Sequence, residues 1–330
     1  QMIKKNIFKK IDKPVYVENR NFQKNAPLIS DLLKLGDKIA SQFPVNKENL
    51  VVKKSLVNDV NCLICNGHKH EQLFVKLGFK YVECNRCKHV FVKNLLKEEV
   101  LLKYYAESHI EELNNKVQKD NKRLLYWNKL YKKYISFFLK HLKVTRILDV
   151  GTGAGNFLKI CKAKKISNIY GLDFSAKSKE DSVKIISKKN YIFRVPITKL
   201  SRLNLEKFDM ITLWGVLEHL SNPVRDFKAL NKIIKKNGYC FALIPNLKSK
   251  AYEMMGVNTP TLCPTEHISF FSRDSLELLG KKTGFRLEYI FSELPVIDLM
   301  YPYCNYSKFF VDDIIEKKKT YYWACLFKKI

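Results

Sequence analysis

Residues 146–160 read Arg146-Ile-Leu-Asp-Val-Gly-Thr-Gly-Ala-Gly-Asn-Phe-Leu-Lys-Ile160. Ile147 to Val150 has the length and apolar character of a short buried strand, whereas residues 156–164 continue with helical spacing. The glycines therefore fall on a strand-to-helix turn, where backbone amides are exposed and side chains are absent. In open α/β sheets, nucleotide-like ligands bind at this kind of turn. The stretch predicts such a ligand at the end of a buried strand.

Two aspartates near this turn restrict the kind of ligand. Asp149 lies immediately before the turn, where it would repel a pyrophosphate but would suit a cationic amino group or a sulfonium. Asp173 ends a second predicted strand, Ile169–Asp173, 22 residues after Gly151. A carboxylate at that point can hold both hydroxyls of a ribose. Further along the chain, a helix is predicted from Pro223 to Lys236, with Asn237-Gly238 ending it before another strand.

The order and spacing of these motifs resemble the class I S-adenosylmethionine-dependent methyltransferases. The resemblance covers residues 144–290 and rests on Leu148–Gly155, Gly171-Leu-Asp173, Phe208-Asp209, Leu217-Glu218-His219 and Asn237-Gly238. It implies an α/β fold with a doubly wound, seven-stranded Rossmann-like sheet. It also implies a closing antiparallel hairpin, formed by residues 285–291 and 320–328.

The resemblance implies S-adenosyl-L-methionine as the cofactor. In that family the glycine loop cradles the methionine part of the cofactor and the acid after the second strand holds the ribose; Phe174 would stack on adenine, and Trp214 would line the pocket. The implied cofactor-binding residues are Asp149, Gly151, Thr152, Gly153, Gly155, Asn156, Phe157, Asp173, Phe174 and Trp214. Val195-Pro196 stand where the family often has Gly-Asp, so the acid that often follows the third strand is absent. A nicotinamide dehydrogenase, the alternative for this fold, would need a glycine where Asn156 stands.

Two CxxC pairs predict a metal site. Cys62 and Cys65 form one pair, Cys84 and Cys87 form the other, and 18 residues lie between the two pairs. Two such knuckles can supply the four thiolates that zinc prefers, and a closed shell of this kind is structural, because no position is left for water or substrate. The alternative is a set of reduced cysteines without metal. The nearby His68, His70 and His89 are interpreted as solvated loop residues.

Two histidines are candidates for a catalytic base. Glu266-His267, followed by Ser269 and Ser272, resembles the EHxSxxS stretch of nucleotide-sugar C-methyltransferases, in which the histidine is the proposed base. Pro264 replaces that family's tyrosine, and with 40 residues after Ile290 no counterpart of that family's larger C-terminal domain is expected, so a C-methyl product is not assigned. The oxygen, carbon or nitrogen character of the methylated atom stays open.

The second candidate is His219. Glu218-His219 resembles the metal-binding stretch of quinone-biosynthesis O-methyltransferases. Gly215 stands where that stretch has its first acid, so a catalytic divalent metal is not expected. A helix-capping or cofactor-contact role for His219 is the structural alternative.

The chain is strongly basic, with 60 Lys and Arg against 32 Asp and Glu and a formal charge of +28. Only nine of these residues are arginine, and the lysines are spread along the chain. This distribution favours compositional bias over a nucleic-acid surface, since arginine is the better residue for bidentate phosphate recognition. No run reaches the ~18 apolar residues of a membrane helix, and a cytoplasmic location is expected.

The predicted organisation has four parts. They are a helical extension (2–58), a four-cysteine zinc ribbon (59–95), a helical connector or lid (96–143) and a cofactor-binding domain (144–330). This layout resembles bacterial methyltransferases of surface-polysaccharide and glycolipid biosynthesis. It predicts methyl transfer to a small-molecule or glycan acceptor, whose phosphate, if present, would suit a basic pocket. The alternatives are an RNA or protein methyltransferase, whose ribbon would hold the macromolecule, and a catalytically silent binding protein; the oligomeric state stays open.

Overall fold

A computed structural model of the protein describes residues 2–15, 27–107, 110–186, 192–294 and 308–330. The α-helices are α1 (Met2–Ile11), α2 (Pro27–Ser41), α3 (Glu98–Glu107), α4 (Ile110–Lys119), α5 (Asn121–Leu142), α6 (Asn156–Ala163), α7 (Ala176–Ile186), α8 (Pro223–Ile233), α9 (Lys250–Met255), α10 (Arg273–Thr283) and α11 (Lys308–Glu316). Short 3-10 helices cover Ile197–Arg202, Leu217–His219 and Gly256–Asn258. The aromatic-rich segment 301–310 is predicted either to line an acceptor pocket or to pack in the core. Most of this segment lies outside the described residues.

The strands belong to three sheets. They are β1 (Val57–Asp59), β2 (His70–Lys76), β3 (Phe79–Cys84), β4 (Val90–Val92), β5 (Asn94–Leu96), β6 (Arg146–Val150), β7 (Asn168–Leu172), β8 (Ile192–Phe193), β9 (Phe208–Trp214), β10 (Ile234–Pro245), β11 (Ser269–Phe270), β12 (Phe285–Glu293) and β13 (Tyr322–Lys329). The first and smallest sheet pairs β1 with β5.

The largest sheet has seven strands in the order β12-β13-β10-β9-β6-β7-β8. Strands β8, β7, β6, β9 and β10 run parallel, while β13 is antiparallel to both β10 and β12. The strand order reverses at β6, which has β7 on one side and β9 on the other. In such a sheet the ligand crevice lies at the carboxyl ends of the strands beside this switch point. The predicted doubly wound sheet and its closing hairpin are confirmed.

The junction between α8 and β10 differs from the prediction. The helix ends at Ile233 and not at Lys236, because the next residue, Ile234, is fully buried and already pairs with Phe208 of β9. Asn237 adopts a positive φ of 62°, and the register of β10 against β9 shifts before Tyr239. The Asn-Gly pair therefore forms an irregularity inside the strand and does not end the helix.

The remaining sheet carries the cysteines and has the order β11-β4-β3-β2. Strands β2 and β3 form a hairpin whose turn residues, Leu77 and Gly78, both have positive φ, as a tight two-residue hairpin turn requires. Strand β11 comes from the second half of the chain and pairs antiparallel with β4. The cysteine-bearing sheet is thus completed by the segment that follows His267.

The seven-stranded sheet has hydrophobic packing on both faces. One cluster includes Leu148 and Ile211 together with the buried cysteines, and the other joins Tyr134 and Phe138 of α5 to Phe241 of β10. Helix α5 therefore covers one face of the sheet. Among the described residues, no helix combines the length and the apolar character that a membrane span needs.

Candidate active site

The glycine loop joins β6 to α6 at the switch point of the sheet. Gly151, Gly153 and Gly155 have φ values of 70°, 52° and 74°. A Cβ atom on Gly153 would lie 2.1 Å from Oε1 of Gln118, so a side chain at this position would clash as well as strain the backbone. The loop therefore needs glycine for both its path and its contacts.

Two carboxyl groups flank this loop. Asp149 is buried, and its Oδ1 accepts a hydrogen bond of 2.6 Å from the Thr212 hydroxyl. Burial raises the pKa of Asp149 to about 7, although the Thr212 hydrogen bond opposes this shift. Asp173 accepts hydrogen bonds from the backbone N–H of Gly153, at 2.8 Å, and of Ser175, at 2.9 Å. The structure therefore places Asp173, the carboxylate predicted to hold the ribose, against the glycine loop.

Gln118 of α4 is a contact of the loop that the sequence patterns do not indicate. Its Oε1 accepts a hydrogen bond from the backbone N–H of Ala154, and its backbone carbonyl accepts one from Nδ2 of Asn156, each at 2.8 Å. Lys119, the next residue, forms an ion pair with Asp181 of α7 at 2.6 Å. Helix α4 therefore contacts the glycine loop, the first residue of α6 and helix α7.

The other predicted cofactor residues lie at different depths. Phe174 is 63% exposed beside Asp173, as a side chain free to meet a ligand would be. Thr152 is buried in the loop. Phe157 and Trp214 are 2% and 9% exposed, and their rings lie 5.2 Å apart within the aromatic cluster below the loop. Contacts of these two side chains are therefore dominated by packing.

His219 and His267 face each other near the carboxyl end of β9. Their ring centroids are 4.7 Å apart at an interplanar angle of 79°. Nδ1 of His267 lies 2.8 Å from the carbonyl oxygen of Thr261, which can only accept, so this nitrogen is the donor. Nε2 of His267 therefore carries the lone pair. Burial lowers the pKa of His267 to about 4, against the opposite effect of the Thr261 carbonyl, so the ring is neutral at pH 7.

Two glutamates accompany the histidines. Glu218 is 1% exposed, its Oε2 has no hydrogen-bond partner among the described residues, and burial raises its pKa to about 8. Burial also raises the pKa of Glu266 to about 7. Ligand atoms of Glu218, His219 and His267 lie within 4.8 Å of one another. The cluster can exchange protons, and three of its groups are close enough to bind a cation.

The four cysteines converge at the end of β3, in the four-stranded sheet β11-β4-β3-β2. Their sulfur atoms lie within 4.8 Å of one another, with Cys62 and Cys87 Sγ 3.5 Å apart and Cys65 and Cys84 Sγ 3.4 Å apart. A zinc tetrahedron with Zn–S bonds of about 2.3 Å places its sulfur atoms about 3.8 Å apart. The backbone N–H of Gly67 also donates to Cys65 Sγ. The donor set and its spacing fit zinc.

The prediction that three histidines near this site are solvated loop residues is wrong for His89. His89 is fully buried, lies nearly parallel to the ring of Phe91, and places Nε2 3.3 Å from the Ser269 hydroxyl. The pairing of β4 with β11 covers it, which a local sequence pattern does not reveal. His70 is partly buried in β2, whereas His68 is exposed as predicted.

Comparison with known proteins places this site in a family. A family model described as a methyltransferase domain matches residues 122–290. The ubiquinone biosynthesis O-methyltransferases of Photobacterium profundum and Actinobacillus pleuropneumoniae are 29% and 28% identical over 129 and 117 residues. These matches cover 38% and 33% of the chain and 54% and 50% of the relatives, so the chain spans about half the length of the curated relatives it matches.

Among solved structures, a SAM-dependent methyltransferase from Archaeoglobus fulgidus is similar, with a TM-score of 0.45 and 19% identity. The similarity covers 61% of this chain and 94% of that one. The family model covers the glycine loop, Asp173 and the His219–His267 pair. The chain therefore belongs to the methyltransferase-domain family.

Proposed function

We propose that the protein transfers the methyl group of S-adenosylmethionine to a small-molecule acceptor, a sugar, nucleotide sugar or glycolipid, with His267 as the general base. The observation that carries this proposal is the hydrogen bond from His267 Nδ1 to the Thr261 carbonyl. This bond fixes the tautomer and the ring orientation, and it leaves Nε2 able to accept a proton.

Methyl transfer from a sulfonium is an in-line displacement, in which positioning supplies much of the rate. A base is needed when the attacking oxygen or carbon must lose a proton as it attacks. A histidine that is neutral at pH 7 meets this need, and His219 faces the same space from the turn after β9. Glu266, which precedes the base, would hold the acceptor or pass on the proton.

The geometry of the glycine loop supports the cofactor assignment that the family resemblance implies. We propose that Gly151, Gly153 and Gly155 hold the methionine portion and that Asp173 holds the ribose. Asp149 would face the positive end of the cofactor, and Phe174 the adenine. We also propose that the four cysteines hold a structural zinc ion. The chain would divide into four parts, with boundaries at residues 58, 95 and 143.

A phenolic hydroxyl is a second candidate acceptor. The relatives named above carry the name ubiquinone biosynthesis O-methyltransferase. Glu218-His219 resembles part of the metal-binding stretch of quinone-biosynthesis O-methyltransferases. A phenol also loses a proton when it is methylated, so the same base would serve. Two features favour the sugar-type acceptor. They are the EHxSxxS resemblance and the four-cysteine segment 59–95, called the cysteine module below.

The test is a partition of methyl label. The protein is incubated with methyl-labelled S-adenosylmethionine and a cell extract, and the label is measured in glycan and nucleotide-sugar, quinone-lipid, RNA and protein fractions. Label in the first fraction supports the proposal, label in quinone lipids selects the second candidate, and label in RNA or protein rejects a small-molecule acceptor. His267→Gln should slow transfer by about 10²-fold or more, whereas His141→Gln, on the exposed end of α5, should not.

A further inference from the structure

The segment that carries His267 is paired with the cysteine module. In β11, Ser269 pairs with Phe91 and Phe270 pairs with Val90 of β4, which begins three residues after Cys87. The backbone N–H of Val92 also donates to the carbonyl of Ile268, at 3.0 Å. Strand β4, which follows the second knuckle (Cys84 and Cys87), therefore holds the backbone immediately after the proposed base.

Two serines add side-chain bonds to the same knuckle. The Ser272 hydroxyl donates to the backbone carbonyl of Cys87 at 3.0 Å. The Ser269 hydroxyl lies 3.3 Å from Nε2 of His89, and both of these residues are fully buried. The backbone carbonyl of His89 accepts a hydrogen bond from the N–H of Cys84. Both serines of the EHxSxxS stretch thus contact the loop between Cys84 and β4.

On its other side, the same segment contacts the cofactor domain. The backbone N–H of Ile268 donates to the carbonyl of Glu218 at 3.0 Å. The backbone N–H of His267 donates to the carbonyl of Cys263 at 2.8 Å. His267 is therefore placed between the second knuckle and the turn that carries His219.

We propose that Ser269 and Ser272 are positioning residues, which set the orientation of His267 from the second cysteine knuckle. The cysteine module would then support the proposed base through its contacts with residues 268–272. This inference rests on the proposed role of His267 as the base. It assigns a function to the two serines, which the chemistry of methyl transfer does not otherwise use.

Ser272 allows a specific test, because it has two separable tasks. Its hydroxyl donates to Cys87, and its oxygen also caps α10 by accepting from the backbone N–H of Ser275 at 3.1 Å. Ser272→Asp keeps the cap, since aspartate is a good N-cap residue, but it cannot donate to a carbonyl. Ser272→Thr keeps both tasks and is the matched control.

The measurements need no knowledge of the acceptor. Hydrogen exchange is followed by mass spectrometry in the full chain, and the His267 ring is followed by nitrogen NMR with His267→Gln as the assignment standard. In Ser272→Asp we expect exchange of residues 261–271 to quicken by about tenfold or more and the ring to lose its single Nδ1–H tautomer. Residues 147–163 and the zinc content should match the wild type, and Ser272→Thr should behave as the wild type.

Two results would overturn the inference. Unchanged exchange and an unchanged His267 tautomer in Ser272→Asp would show that the serine does not orient the base. Faster exchange throughout residues 147–163 as well would show a role in the whole fold. Failure of the proposed function is recognised separately, as normal methyl transfer by His267→Gln.

Discussion

Glu218→Gln should stabilise the protein, increasingly so as the pH rises. Glu218 is 1% exposed, its Oε2 has no partner among the described residues, and burial raises its pKa from 4.5 to about 8. The folded state therefore holds a proton that the unfolded state releases above its lower pKa. Stability from this group is present below pH 4.5 and is lost as the pH rises towards 8. Glutamine, which does not ionise, removes this loss.

The size of the effect follows from the shift in pKa. At about 1.4 kcal/mol per unit, the variant should gain less than about 1 kcal/mol at pH 5, about 3 kcal/mol at pH 7 and about 5 kcal/mol above pH 8. Urea unfolding of both proteins, followed by tryptophan fluorescence at pH 5, 7 and 8.5, measures the difference directly. Glu206→Gln is the control, because that side chain is 85% exposed, and it should change stability by less than about 0.5 kcal/mol.

A pH-independent difference between Glu218→Gln and the wild type would refute this reasoning. A variant that is less stable than the wild type above pH 7 would refute it in a more informative way. That result would mean that the carboxylate is ionised and paired with a cation. That cation would be either a protonated His219 or a metal ion that Glu218 shares with His267.

Further predictions concern the cofactor loop and the cysteines. Asp173→Ala should weaken S-adenosylhomocysteine binding in calorimetry by on the order of 1–3 kcal/mol, and unchanged affinity would exclude the ribose assignment. Metal analysis should find about one zinc per chain in the wild type, about none in Cys84→Ser, and the wild-type amount in the control Cys240→Ser, whose buried thiol lies in β10; a metal-free wild type would contradict the zinc site. Gly153→Ala should lower the free energy of unfolding by more than the about 1–2 kcal/mol that a left-handed backbone costs alanine, because its methyl group also displaces the Gln118 side-chain amide, and a loss below about 1 kcal/mol would count against that contact.

Local patterns predicted the parts of the site that short chain segments determine. A glycine turn between an apolar strand and a helix is determined within about fifteen residues, and Asp173 follows from the length of the next strand. The CxxC pairs likewise converge because each knuckle is a local turn and a short hairpin connects them.

The missed features depend on contacts between distant residues. Ser269 and His89 are 180 positions apart, and β11 is a two-residue strand with no periodicity of its own. Gln118 reaches Ala154 from 36 residues away, on a helix whose surface pattern shows only which face is polar. The predicted helix stop at Asn237-Gly238 is wrong for a related reason, since burial of Ile234 against β9 decides where the helix ends.

The proposed chemistry gives the shifted pKa values of Glu218, Glu266 and His267 a physical reason. When a sulfonium methylates an oxygen or carbon that has lost its proton, opposite charges are neutralised, and a site of low polarity favours such a step. Burial holds His267 neutral and raises the pKa of Glu218 and Glu266, so that near pH 6 all three groups are uncharged. A fixed carboxylate at this point would attract the sulfonium in its ground state and oppose its discharge. The same burial that makes Glu218 costly to ionise therefore removes a charge that would slow the transfer.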